Sequence, residues 1–332
     1  MSETYSLRGK QKGFLTSGIV ILILLLLPQA VNLGGYVLSL LIMLFIFIVL
    51  SQSFNLMGGY AGQFNLGLAA YFGSGVLVYS MIYAAGVAYY MAMLAGGLVA
   101  MFLAFIIGIS TLRLKGIYFS IGTLALAEAL RITIGNMFPI TVYSPPNYWA
   151  SYSLAKSYYL GLGLAIIAMT MTYMVVNSRL GMAFRAIRDD EDAAKATGVN
   201  PTKYKILVFA ISSFLIGLAG GVFGFYRGSI LPVEQFSPLW TFDPLIAACI
   251  GGLSTLSGPI WGSILIVILR DLLSRTVGHA HFIVTGSIFI LVILFFPGGI
   301  VESGVPLRRF FAGLMRSKSG SPPMSSAGMG TA

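Results

Sequence analysis

A chain of 332 residues with 57% hydrophobic and 9% charged side chains cannot cover a globular surface with polar groups, because soluble domains carry roughly 25% charged residues. A soluble enzyme or binding domain is excluded, and an integral membrane protein remains. The net charge of +10 sits in loops and tails, so it points to membrane topology and not to nucleic acid.

The first apolar run follows Arg8, Lys10 and Lys12, as a signal peptide would, but the chain continues LPQAVN with no A-x-A cleavage site. The spacing predicts a cytoplasmic N-terminal segment, 1–13, and an uncleaved first span over 14–33. Further spans of about 20 apolar residues are expected near 36–57, 66–84, 87–110, 117–137, 158–177, 205–228, 244–269 and 282–298. Backbone polar groups in hydrocarbon must be satisfied within their own segment, so these spans are helices. The expected fold is an all-α polytopic membrane protein with about 8–10 transmembrane helices. They form a transmembrane domain over 14–301, followed by a tail over 302–332 that is poor in bulky apolar residues and is expected to be cytoplasmic and disordered.

Two glycine-rich stretches interrupt this pattern. GGYAGQFNLG, Gly58 to Gly67, and GGLSTLSGPIWG, Gly251 to Gly262, each start with a glycine pair and end on a glycine. Both are expected to be broken or re-entrant, and paired interruptions in two halves of a transporter point to the substrate pathway. Gln52, Asn55, Gln63 and Asn65 surround the first break; they either bridge helices or line the pathway. Glu128 and Arg131 lie inside the 117–137 span at i,i+3. They read as an intrahelical pair or as a polar contact along the pathway or between subunits. Ser213, Gly217 and Gly221, with Gly220 and Gly224, form a small-residue row suited to close internal packing. Arg227, Glu234 and Asp243 mark the loop 227–243. Cys249 is the single cysteine, so no intrachain disulfide forms, and it reads as a packed thiol. His279 and His281 are too few for a metal site, and none is expected.

From Gly13 to Leu112 there is no Asp, Glu, Lys or Arg, whereas Arg179 to Lys205 holds ten of the thirty charged residues. The spacing predicts one helix from Gly181 to Thr197. Its small-residue stripe is Ala183, Ala186, Ile187, Asp190, Ala193, Ala194 and Thr197, and its i,i+4 pairs are Arg185–Asp189, Arg188–Asp192 and Glu191–Lys195. Gly198 ends the helix, and Asn200 and Pro201 cap the next one. The loop is either a solvated helix with ordinary ion pairs or a docking helix for another protein.

Basic loops set the orientation. The N-terminus, the loop carrying Arg113 and Lys115, and the loop 178–204 all fall on the cytoplasmic side. The basic tail joins them only if 244–269 crosses twice as two short limbs or re-enters as a loop.

SFNLMGGYAGQFNLG (53–67), LRLKGIYFSIGTLALAEALR (112–131), GMAFRAIRDDEDAAKATGVNPTKYK (181–205), IGGLSTLSGPIWG (250–262) and GSIFILVILFFPGGIV (286–301) occur in this order. Together they resemble the permease subunit of an ABC importer of the branched-chain amino acid family, LivM type. The resemblance implies that the 178–204 loop is a coupling helix, carried by Gly181, Arg185, Ala186, Arg188, Asp189, Asp190, Ala193, Ala194 and Gly198. It also implies a second, homologous permease subunit, two cytoplasmic ATPase subunits that hold ATP and Mg, and an extracytoplasmic substrate-binding protein. This chain has no G-x-x-x-x-G-K-[ST] phosphate loop and is expected to bind no cofactor and to catalyse no reaction. Pathway candidates are Asn55, Gln63, Asn65, Glu128, Arg131, Gly251 and Gly252. The expected function is inward movement of branched-chain amino acids or related small polar solutes across the cell membrane. The alternative is a stand-alone ion-coupled transporter, for which Glu128 is the available embedded acid.

Overall fold

Apolar composition and the demand for internal hydrogen bonding leave the chain little choice but helices, and the computed structural model is built of them. It describes residues 34–276, apart from 115, 144–147 and 149–151, together with Leu24, Leu25 and Pro28. Segment 1–13, most of the expected first span, the last span at 282–298 and the tail lie outside the described residues.

Helix α1 (Gly35–Phe54) continues into a six-residue π-helical segment, Asn55–Tyr60. After an irregular stretch come α2 (Leu68–Ala84), α3 (Tyr89–Thr111), α4 (Ile117–Met137) and α5 (Leu154–Val176). Two short helices fill the charged loop, α6 (Arg179–Asp189) and α7 (Glu191–Ala196). Then follow α8 (Pro201–Arg227), the single turn α9 (Pro232–Gln235), α10 (Leu239–Gly251) and α11 (Gly258–Thr276). Strands β1 (Val142–Tyr143) and β2 (Ser229–Ile230) pair antiparallel, Val142 opposite Ile230. Five of these segments, α1 with its π-helical extension, α3, α4, α5 and α8, are long and apolar enough to cross a membrane.

The core sits around α8, which packs along α3 and α2 and touches α1. Small residues permit this approach: a Cβ on Gly217 would lie 2.8 Å from the Gly96 carbonyl, and one on Gly221 would lie 2.9 Å from Met93 Cα. Ser213 is fully buried in the same row, so the expected internal packing face is present. Aromatic side chains fill the wider gaps, with Trp240 stacked on Phe72 at 4.1 Å between ring centroids. Beyond α8, burial pushes the Tyr148 phenol above its ordinary pKa, so it stays protonated and donates to the Phe225 carbonyl at 2.8 Å.

The expected span 244–269 is two helices. Backbone at Gly252 (φ 115°) and Ser254 (φ 62°) enters the left-handed half of conformational space, and the chain reverses between α10 and α11. A Cβ on Gly251 would collide with the Gly258 carbonyl, and one on Gly262 with the Ala247 carbonyl. The limbs are therefore in backbone contact. At the open end of this hairpin Arg270 binds Asp243 at 2.8 Å; its turn lies beside the charged loop. Asp243 is thus a helix residue engaged inside the bundle and not an open loop charge.

Candidate functional site

The charged loop is built from local rules that the sequence states, with one exception. Ser178 caps α6, its Oγ accepting from the Leu180 amide at 3.1 Å. Gly198 (φ 89°) closes α7 with its own amide on the Lys195 carbonyl and the Val199 amide on the Ala194 carbonyl, both at 3.1 Å, a Schellman turn. Asn200 Oδ1 then caps α8 through the Lys203 amide at 3.2 Å, and Pro201 takes the first helical position.

The exception is Asp190. Its backbone is extended (φ −157°, ψ 114°), and its Oδ1 accepts from the Asp192 and Ala193 amides at 2.9 Å each. The expected single helix over Gly181–Thr197 is therefore two helices bent at Asp190. A short acidic side chain inside a helical pattern competes for backbone amides and starts a new helix. The bend turns the small-residue stripe: Ala183, Ile187 and Ala194 are buried, Ala186 is half-buried, and Asp190, Ala193 and Thr197 are exposed. Gly181 is buried where a Cβ would collide with the Val176 carbonyl.

The ion pairs also differ from the i,i+4 expectation. Arg185 donates to the Val176 carbonyl at 3.0 Å, closing the end of α5. Glu191 reaches Lys205 Nζ on α8 at 2.7 Å, and the Lys205 side chain is only 2% exposed. Arg188 contacts Asp189 at 3.3 Å and sends its Nη1 inward. Nη1 donates to the Gly59 carbonyl at 3.1 Å and to Ser254 Oγ at 2.7 Å.

Those two acceptors belong to the two glycine-rich breaks. Ser254 Oγ donates onward to the Gly59 carbonyl at 2.8 Å. The fully buried Asn55 accepts from the Ser254 amide at 2.8 Å and donates to the Thr255 carbonyl at 2.7 Å. Gly62 (φ 68°) lets the first break pass against the Arg188 stem: a Cβ there would lie 2.7 Å from Arg188 Cγ. The breaks, 200 residues apart in sequence at Asn55 and Thr255, thus meet in space and meet the charged loop at one guanidinium. A second brace joins the neighbouring helices α2 and α10, where Thr241 Oγ1 accepts from the Ala69 amide at 2.9 Å. The irregular backbone of both breaks is held by protein groups.

Of the pathway candidates, Asn55 belongs to this junction. Gly251 and Gly252 form its hairpin, with Gly251 closed against Gly258. Asn65 caps its own turn through the Gly67 amide at 2.9 Å, and Gln63 is half-buried nearby. Gln52 is fully buried, and neither amide atom finds a hydrogen-bond partner among the described residues. Glu128 and Arg131 are elsewhere on α4, paired through Arg131 Nε at 2.9 Å to both carboxylate oxygens. Sequence reasoning missed Gly59, Glu191, Lys205 and Ser254 as site residues. Only the serine between glycines and a lysine at the mouth of an apolar helix signalled them.

Apolar helices interrupted by two interlocked breaks, with a charged loop fastened to both, define a multi-pass membrane permease. The chain belongs to the family described as "Branched-chain amino acid transport system / permease component", which matches residues 36–296. It is 25% identical to the high-affinity branched-chain amino acid transport system permease protein LivM of Salmonella typhimurium, over 92% of this chain and 78% of that protein. It is also 25% identical to LivM of Escherichia coli K12, over 90% of this chain and 76% of that protein. The LivH permease of Escherichia coli K12 is 30% identical over 42% of this chain and 44% of LivH. No solved structure matches the chain. The reading of the sequence as an ABC-importer permease of LivM type is borne out.

Proposed function

We propose that this chain moves branched-chain amino acids or related small polar solutes inward by alternating access. In this reading it pairs with a homologous second permease in the cell's inner or plasma membrane, with the charged loop and both termini in the cytoplasm. Two ATPase subunits, which hold ATP and Mg, dock on the loop, and an extracytoplasmic protein delivers the solute to the opposite face. The chain itself holds no nucleotide and carries out no chemical step. The exposed Asp189, Asp190, Asp192, Ala193 and Lys195 are the surface offered to the ATPase.

The observation that carries this reading is Arg188 Nη1, bonded at once to Gly59 and Ser254. A displacement of α6 must be transmitted to both breaks or must rupture these bonds. The ion-coupled alternative needs a free embedded acid, and the Glu128 carboxylate is engaged by Arg131.

Reconstituted with the second permease, the ATPases and the solute-delivering extracytoplasmic protein, the chain is expected to take up L-leucine only with ATP. Arg188→Ala should lower uptake at least tenfold while the ATPases still copurify, because the residue's bonds face inward. Uptake by the chain alone without ATP would overturn the reading.

A further inference from the structure

Away from the charged loop, a cavity of about 560 Å³ opens among α4, α8, α9, α10 and α11. That volume lies within the range of small-molecule sites. Its walls include Arg131, Arg227, Glu234, Gln235, Trp240 and Arg270.

The charges on these walls are unequally engaged. Arg131 is held by Glu128 at 2.9 Å and Arg270 by Asp243 at 2.8 Å. Arg227 has no carboxylate partner among the described residues, nor does Glu234 have a basic one, and both are exposed. Gln235 is 5% exposed, and its Nε2 donates to the Leu231 carbonyl at 3.3 Å. Its Oε1 is buried with no hydrogen-bond partner among the described residues. A buried acceptor without a donor is a standing cost that a ligand N–H removes. The apolar wall is Trp240, whose ring meets Phe223 at 4.9 Å.

We propose that this cavity is a binding subsite for a zwitterionic α-amino acid with an apolar side chain. The carboxylate sits on Arg227, the ammonium donates to Gln235 Oε1 and faces Glu234, and the side chain lies on Trp240 and Phe223. A simple carboxylate would leave Gln235 without its donor, and an uncharged amide would leave Arg227 without its anion. The inference rests on the proposed function for its solute class and adds the place and the contacts.

The test uses the assembled importer without its binding protein, in nanodiscs, with radiolabelled L-leucine as the probe. L-Leucine is expected to bind at least tenfold more tightly than 4-methylpentanoate, which lacks the ammonium, and than isoamylamine, which lacks the carboxylate. Arg227→Ala should weaken leucine at least tenfold and bring it level with isoamylamine. Gln235→Leu should weaken leucine at least tenfold while leaving thermal stability equal or higher, because loss of the orphaned acceptor offsets loss of the long 3.3 Å bond to the Leu231 carbonyl, which the Glu234 amide still satisfies; a merely structural role would lower stability. Leucine affinity unchanged in both variants, or 4-methylpentanoate binding as tightly as leucine, would overturn the subsite. If ATP-driven leucine uptake persists in that case, the proposed function stands and only the subsite fails. An importer that moves no leucine with ATP sinks the proposed function instead.

Discussion

Lys205 keeps a charged side chain at 2% exposure because Glu191 reaches it from α7 at 2.7 Å. Removing one partner of a buried pair costs roughly 3–5 kcal/mol. Glu191 is itself 29% exposed, so Glu191→Ala is expected to cost about 2–3 kcal/mol once solvent screening is allowed for. The measurement is the thermal midpoint of the detergent-solubilised chain. Combining it with Lys205→Met, which removes the stranded charge, should recover most of the loss; a double variant no more stable than Glu191→Ala would mean the pair is not the cause. The residues nearest this pair show what the sequence makes legible. Gly198, Asn200 and Pro201 act through neighbours a few positions away, so their roles can be read directly. Glu191 and Arg188 act on residues 14 and 66 or more positions away, and helical spacing offered each a nearer partner that the fold does not use.

At the level of elements, the α10–α11 hairpin depends on glycines that contact backbone. Gly262→Ala places a methyl group on the Ala247 carbonyl and forces the limbs apart, at a cost of about 2–3 kcal/mol. Gly163→Ala on α5 meets nothing within 4 Å and should be neutral or stabilising by about 0.5–1 kcal/mol. Equal thermal midpoints for the two variants would refute the close-contact account. The existence of this break was legible, since four glycines and a proline fall within 251–262. Its sharp reversal and its contact with the other break were not, because both follow from Asn55, 199 residues from Ser254. In the charged loop, apolar spacing favoured one helix, and the capping chemistry of Asp190 prevailed over it.

For the whole molecule, the succession of helices places the charged loop and the β1–β2 ladder at opposite ends of the bundle. The reading of basic loops assigns the loop to the cytoplasm. In a Cys249→Ser background, Lys195→Cys should resist a membrane-impermeant maleimide in intact cells and react after permeabilisation. Tyr143→Cys, at a position 72% exposed, should react in both. The reverse pattern would invert the topology and with it the direction of transport.

Helix α8 has 27 residues, or about 40 Å at 1.5 Å per residue, against a hydrocarbon layer of about 30 Å. Its first turns are clamped to α7 through Lys205, and its last turn supplies Tyr226 and Arg227 to the cavity wall. It is therefore a lever with one arm in each compartment. A tilt of roughly 5° about its lower end would carry the upper end sideways by about 3.5 Å, more than the length of a hydrogen bond. A movement of the loop that tilts α8 would therefore displace the cavity wall at Tyr226 and Arg227 directly, with no relay of small steps in between.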